Sequence, residues 1–162
     1  MNAVPLTSWR GRVDTCFATI PVMNSRALID TFLVPEKTVA KAKGDGPSID
    51  VSGAANRVFL LTLQITKIVE QESLDVSIYG SSDDATWSPK PLLAFPQKFY
   101  AGQHPLLLDL AQQPEVKFVR AHWEVSRWGR GDETPMFEFH VMLKDVPAEI
   151  LQEASAEAKA MR

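Results

Sequence analysis

The chain is poor in the residues that catalysis and cross-linking most often use. Its 162 residues include one cysteine, Cys16, and three histidines. A lone thiol cannot pair within the chain, so no disulfide framework is expected and the cysteine usage gives no sign of an oxidising compartment. Long apolar runs are missing too: no stretch approaches the roughly 20 residues that span a bilayer. Between residues 1 and 23, Arg10, Arg12 and Asp14 break every apolar run, unlike the core of a signal peptide. A cytoplasmic or particle-associated location with no membrane contact is therefore expected. An excess of either charge is also absent. Seventeen Lys and Arg against twenty Asp and Glu leave a formal charge of −3, a field that does not favour a polyanion, so nucleic acid is not expected as the main partner. No Gly-x-Ser-x-Gly elbow, His-Glu-x-x-His helix, phosphate loop or dinucleotide fingerprint occurs. The expectation is a non-enzymatic protein that needs no cofactor.

What the chain does have is a β rhythm. With 45% hydrophobic residues it is long enough for one domain with a sufficient core. Short alternating runs are separated by Gly, Pro, Asp and Asn, the pattern of an all-β sandwich or barrel. Phe59, Leu61, Leu63 and Ile65 alternate with Leu60, Thr62, Gln64 and Thr66, and the odd set is expected to face the core. Leu74, Val76 and Ile78 alternate in the next run, which is expected to neighbour the first across the polar segment 70–73. Pro89, Pro91 and Pro96 mark an edge strand or an irregular crossover after Trp87. Val119, Ala121, Trp123 and Val125 form one half-buried strand, and Phe137, Phe139, Val141 and Leu143 form another. The glycines of Trp128-Gly129-Arg130-Gly131 suit a hairpin between them, which would pair Trp123 with Phe139. The domain is expected over 27–146. Residues 1–26 read as an apolar N-terminal arm, and residues 147–162, rich in Ala, Glu and Lys after Pro147, read as a short C-terminal helix. Its apolar members Ile150, Leu151, Ala154 and Ala158 share one face, ready to pack on the sandwich or grip another subunit.

Four constellations bear on function. The proposed hairpin sets His122 and Glu124 opposite His140 and Glu138, and imidazole with carboxylate suits zinc or iron; a wet sheet face uses the same residue types without any ion. Ser82-Asp83-Asp84 offers oxygens to calcium, or simply closes a turn. Arg130-Gly131-Asp132 has the form of an integrin-binding triplet, which a charged glycine turn also produces. Trp87, Phe95, Phe99, Tyr100 and Trp128 lie in or beside loops, where aromatic rings fold back on the core, bury against a neighbouring subunit or stack on a sugar.

Leu74 to Trp87, with its strand, Gly80-Ser81-Ser82-Asp83-Asp84 turn and Trp, resembles the corresponding segment of discoidin-like jelly rolls and of small jelly-roll proteins of phage particles. Phe118-Val119-Arg120-Ala121 followed by a glycine hairpin and a closing strand is similar to the later part of the same fold. The resemblance spans about residues 57–145 and implies a jelly-roll-like antiparallel sandwich of about eight strands. Asp83-Asp84-Ala85 stands where the discoidin pattern continues with Asp-Gly. Three functions are expected in turn. The first is a structural protein that self-associates into a homo-oligomeric, virion-like or capsid-like assembly, with itself as partner. The second is a carbohydrate-binding or other ligand-binding module using the loop aromatics. The third is a metal-dependent enzyme on the His122 and His140 face.

Overall fold

Alternation decides which residues become strands and which side of each is dry. In the computed structural model, which describes residues 28–69, 72–127 and 136–161, the longest alternating run forms β4 (Val58–Ile68). There Phe59, Leu61, Leu63 and Ile65 are buried, as the alternation requires. Ahead of it lie β1 (Asp30–Ala40) and the short β2 (Gly44–Asp45) and β3 (Ile49–Asp50). After it come β5 (Glu72–Ser81), β6 (Leu93–Ala94), β7 (Gly102–Asp109), β8 (Phe118–Arg127), β9 (Phe137–Asp145) and the helix α1 (Ala148–Ala160).

The strands form two antiparallel sheets. One has the order β1-β9-β4-β7; in the other, β8 holds β2 and β3 on one side and β5 on the other, with β6 beyond β5. Nearly every connection crosses from one sheet to the other; within a sheet the chain passes only from β2 to β3 and from β5 to β6. This interleaving is the jelly-roll arrangement. The chain is an all-β jelly-roll sandwich with a short C-terminal helix. β2 and β3 share one edge position, so nine strands fill eight places.

Two expected pairings are corrected. β4 and β5 are not neighbours, because β4 lies between β9 and β7 while β5 lies between β8 and β6. β8 and β9 do not form a hairpin either. They face each other across the core, where Trp123 meets Phe139 edge-on with ring centroids 5.5 Å apart. The two residues do meet, but as opposed layers of a sandwich and not as cross-strand partners. The expected turn at 128–135 and the arm at 1–26 lie outside the described residues.

Proline and charge shape the edges. β1 carries Pro35 and is bulged on both sides of Val34, with Lys37 at φ 59°, as suits an edge strand that cannot keep a full ladder. The proline-rich segment after Trp87 runs along the outer side of β5. It is held by the Leu92 N–H on the Ile78 carbonyl and the Phe95 N–H on the Val76 carbonyl. At the other end Arg57, with φ 56°, sends its guanidinium to the carbonyls of Leu110, Gln113 and Val116, which pins the loop between β7 and β8.

α1 forms because Ala, Glu and Lys are good helix formers, with Glu149 in the first turn and Lys159 in the last complementing the helix dipole. None of its residues is buried. Among the described residues no helix is long and apolar enough to cross a membrane.

The dry layer sets the stability. Phe139→Ala is expected to cost about 3–5 kcal/mol in urea unfolding, whereas His140→Ala, one residue along on the outer face, stays within about 1 kcal/mol.

Candidate functional sites on the two outer faces

Each sheet has one face in the core and one facing out, and an antiparallel sheet of this kind ordinarily shows water a polar row. The outer row of the β5/β8 sheet follows that rule. Tyr79, Arg120, His122 and Glu124 point outward beside Asp45 of β2. His122 Nδ1 lies 2.8 Å from Asp45 Oδ1, and its Nε2 lies 3.4 Å from Glu124 Oε1. Arg120 Nε is 3.8 Å from the same Asp45 oxygen, and its guanidinium sits 4.3 Å above the centre of the Trp87 ring. The Tyr79 ring meets His122 edge-on at 6.0 Å. Asp45, Tyr79, Trp87, Ser88, Arg120 and His122 line a shallow cavity of about 230 Å³.

This placement corrects the metal expectation. His122 and Glu124 lie on the outer face of one sheet, and His140 and Glu138 on the outer face of the other, with the whole core between them. Glu138 accepts the Thr66 hydroxyl at 2.9 Å, and His140 packs edge-on against Phe32 at 5.6 Å. Among the described residues no group of three or more His, Cys, Asp or Glu is placed to hold a metal. Asp45 is the member of the polar cluster that sequence reading missed. Its only signal was a turn-like Gly44-Asp45-Gly46, which reads as a flexible basic loop until β8 is known to run beside it.

The loop aromatics divide. Trp87 is half-buried in the polar cluster. Phe95 is buried, at 4% exposure, and belongs to the core; the Phe95 N–H on β5 draws its ring inward, so it offers nothing to a ligand or subunit. Phe99 and Tyr100 are exposed, at 39% and 77%, next to the bridge between Leu74 and Lys98. Trp87 follows the opposite end of β5, where Ser81 bridges to it, so Tyr100 does not join it in one pocket. Trp128, Cys16 and Arg130-Gly131-Asp132 lie outside the described residues. At Ser82-Asp83-Asp84 the Asp83 carboxylate accepts the N–H groups of Ala85 and Thr86 and the Ser81 hydroxyl. Those bonds hold its pKa down at about 2 and are those of a closed turn.

The outer row of the β1-β9-β4-β7 sheet departs from the polar rule near α1. There Leu60 of β4 and Leu107 of β7 face out as cross-strand partners, with Lys144 of β9 on the other side of Leu60. Leu28, Leu107 and Ile150 are 55%, 59% and 55% exposed. With Leu60, Val146 and Pro147 they line an apolar groove of about 400 Å³ at the foot of α1. Asp145 also reaches this groove. Its carboxyl is buried, and Oδ1 has no hydrogen-bond partner among the described residues.

Burial pushes the Asp145 carboxyl above its ordinary value of 3.8, against the lowering effect of the Val146 and Ile29 backbone groups. A raised folded pKa means that the unfolded chain ionises first, so stability falls as pH rises from about 3.8 toward the folded value. Asp145→Asn keeps the acceptor oxygen and removes the charge. It is expected to raise the Tm at neutral pH, and the gain should vanish below pH 3.8 in melts followed by circular dichroism. The chain matches no protein-family model and no curated protein.

Proposed function

We propose that the protein is a non-enzymatic structural subunit that self-associates into a homo-oligomeric assembly of virion-like or capsid-like kind. The observation that carries this reading is α1, thirteen residues with none buried. An isolated helix of that length is marginal in water, and most helical stability in proteins comes from packing an apolar face. Ile150, Leu151, Ala154 and Ala158 form such a face, and the described part of the chain half-buries Leu151 and leaves Ile150, Ala154 and Ala158 exposed. The apolar groove beside it adds a second surface of the same character. Contiguous exposed apolar surface on a folded domain marks an interaction site, and closed symmetric association of identical copies is the commonest way to cover one. Jelly rolls serve capsid proteins and lectins alike, so the fold only permits this function; the surfaces argue for it.

A ligand-binding reading has its own support in the Trp87 cavity. An indole wall, the Asp45 carboxylate, the Arg120 guanidinium and Ser88 in one depression can stack on a sugar ring and hydrogen-bond its hydroxyls.

Size-exclusion chromatography with light scattering over a wide concentration range is expected to give a multiple of the 18.0 kDa chain mass, with particles or rings by negative-stain microscopy. A monomer at every concentration overturns the assembly reading. For the ligand reading, a glycan array with wild type and Trp87→Ala should show binding that the variant loses, and no signal for wild type removes it.

A further inference from the structure

We infer that Trp87 is the ridge between two halves of one binding cleft, and that the cleft takes a neutral linear saccharide of two or more units. The inference rests on the ligand-binding reading of the Trp87 cavity and names the length and charge of its ligand. Three observations carry it.

The first is a second depression against the same indole. Trp87 and Ser88 line the cavity of about 230 Å³ that holds Asp45 and Arg120, and they also line a neighbouring depression of about 300 Å³. Arg120 takes no part in the second one. Its guanidinium lies 4.3 Å above the centre of the Trp87 ring, so the second depression adjoins a part of the indole that the guanidinium leaves free for the C–H face of a sugar. The first cavity alone falls below the roughly 300–1,000 Å³ of an ordinary small-molecule site. The two joined across Trp87 fall within that range.

The second is the chemistry of the lining. Gly80 has no side chain, and Leu92 and Val116 close over it to make an apolar floor; a Cβ at Gly80 would stand 2.7 Å from Leu92 Cδ1 and 2.9 Å from Val116 Cγ1. Around the floor stand Ser82, Thr86, Gln113 and Glu115, whose side chains have no hydrogen-bond partner among the described residues. A sugar ring pairs an apolar C–H face with a rim of hydroxyls, and an apolar floor ringed by hydroxyl, amide and carboxylate groups complements both. Charge narrows the class further. Asp45 sets a carboxylate in one half and Glu115 sets another in the second, while the Arg120 guanidinium is already stacked on Trp87, with Nε 3.8 Å from Asp45. That balance favours an uncharged ligand over a phosphate or an acidic sugar.

The third is that both lips are fixed. On one side Ser81 bridges to Trp87, the Ser88 N–H donates to the Gly80 carbonyl at 3.0 Å, and the Ser81 hydroxyl donates to the Thr86 carbonyl at 2.7 Å. On the other, the Arg57 guanidinium donates to the carbonyls of Gln113 and Val116. A cleft whose walls are held in place before the ligand arrives loses little freedom on binding.

Glycan length tests this on the full-length chain. An array of neutral linear glycans from monosaccharides to hexasaccharides, with sialylated and sulfated counterparts, identifies the sugar, and its length series is then titrated by tryptophan fluorescence. The disaccharide is expected to bind about tenfold or more tighter than the monosaccharide, the gain from a second set of hydrogen bonds. Gln113→Ala combined with Glu115→Ala, both outside the core, is expected to remove that gain while the circular dichroism spectrum and monosaccharide binding stay unchanged. Equal affinity for the two lengths, or a gain that the double variant keeps, overturns the two-part cleft while the single-cavity ligand reading stands. Tighter binding of the acidic counterparts overturns the neutral class. An array with no signal for the wild type overturns both readings.

Discussion

Phe139 and Trp123 meet edge-on at 5.5 Å across the middle of the sandwich, and the rest of the architecture follows from the fact that they meet there and not side by side. Their strands are consecutive in the chain, yet β8 sits in one sheet and β9 in the other. The contact is one of many that seal the dry layer. Phe59, Leu61 and Leu63 from β4 and Leu74, Val76 and Ile78 from β5 are all at most 1% exposed within it. Burial of these rows is the main favourable term in the fold. Because period-two alternation commits one side of every strand to that layer, the other side of every strand is committed to the surface.

The two surfaces so produced have different chemistry. On the β5/β8 sheet, His122 bridges Asp45 and Glu124 while Arg120 stacks over Trp87 with its Nε 3.8 Å from Asp45, giving a polar face with an aromatic wall. On the opposite sheet, the row at the foot of α1 sets Leu60 and Leu107 beside Lys144, and no residue of the helix that starts there is fully buried. A single helical turn at Pro147 to Ile150 is thus both the end of the domain and the wall of its apolar groove. The buried Asp145 carboxyl, with one oxygen unpartnered, adds a polar point to that otherwise dry place. An apolar groove with an exposed helix beside it is the feature that the proposed assembly explains.

Much of the candidate surface was readable in the residues. The helix and its stripe were legible because Ala, Glu and Lys after Pro147 have strong helical preference and the 3.6 period is simple to follow. Trp87 was legible as an aromatic outside the alternating rows. The groove was not, because Leu28, Leu107 and Ile150 are far apart in the chain and each alone looks like an ordinary exposed or core residue. Asp45 and its bond to His122 were hidden for the same reason. Phe95 was misread in the other direction: a loop ring drawn inward by a backbone hydrogen bond to β5 carries no mark of it in the local sequence.

The sequence by itself determined the alternating runs that became β4, β5, β8 and β9, which side of each is dry, and that a helix follows the last strand. These are local properties, written in alternation, proline positions and helical preference over a few residues. Only the tertiary structure decided which strand lies beside which. An inward residue has the same alternating neighbours whether its partner is next to it in one sheet or opposite it across the core, so periodicity cannot separate the two. That single ambiguity joined β4 to β5 and β8 to β9 on paper and placed His122 near His140. The jelly-roll crossing of the chain between sheets put the core between those histidines and left the apolar face and the polar face on opposite sides of the molecule.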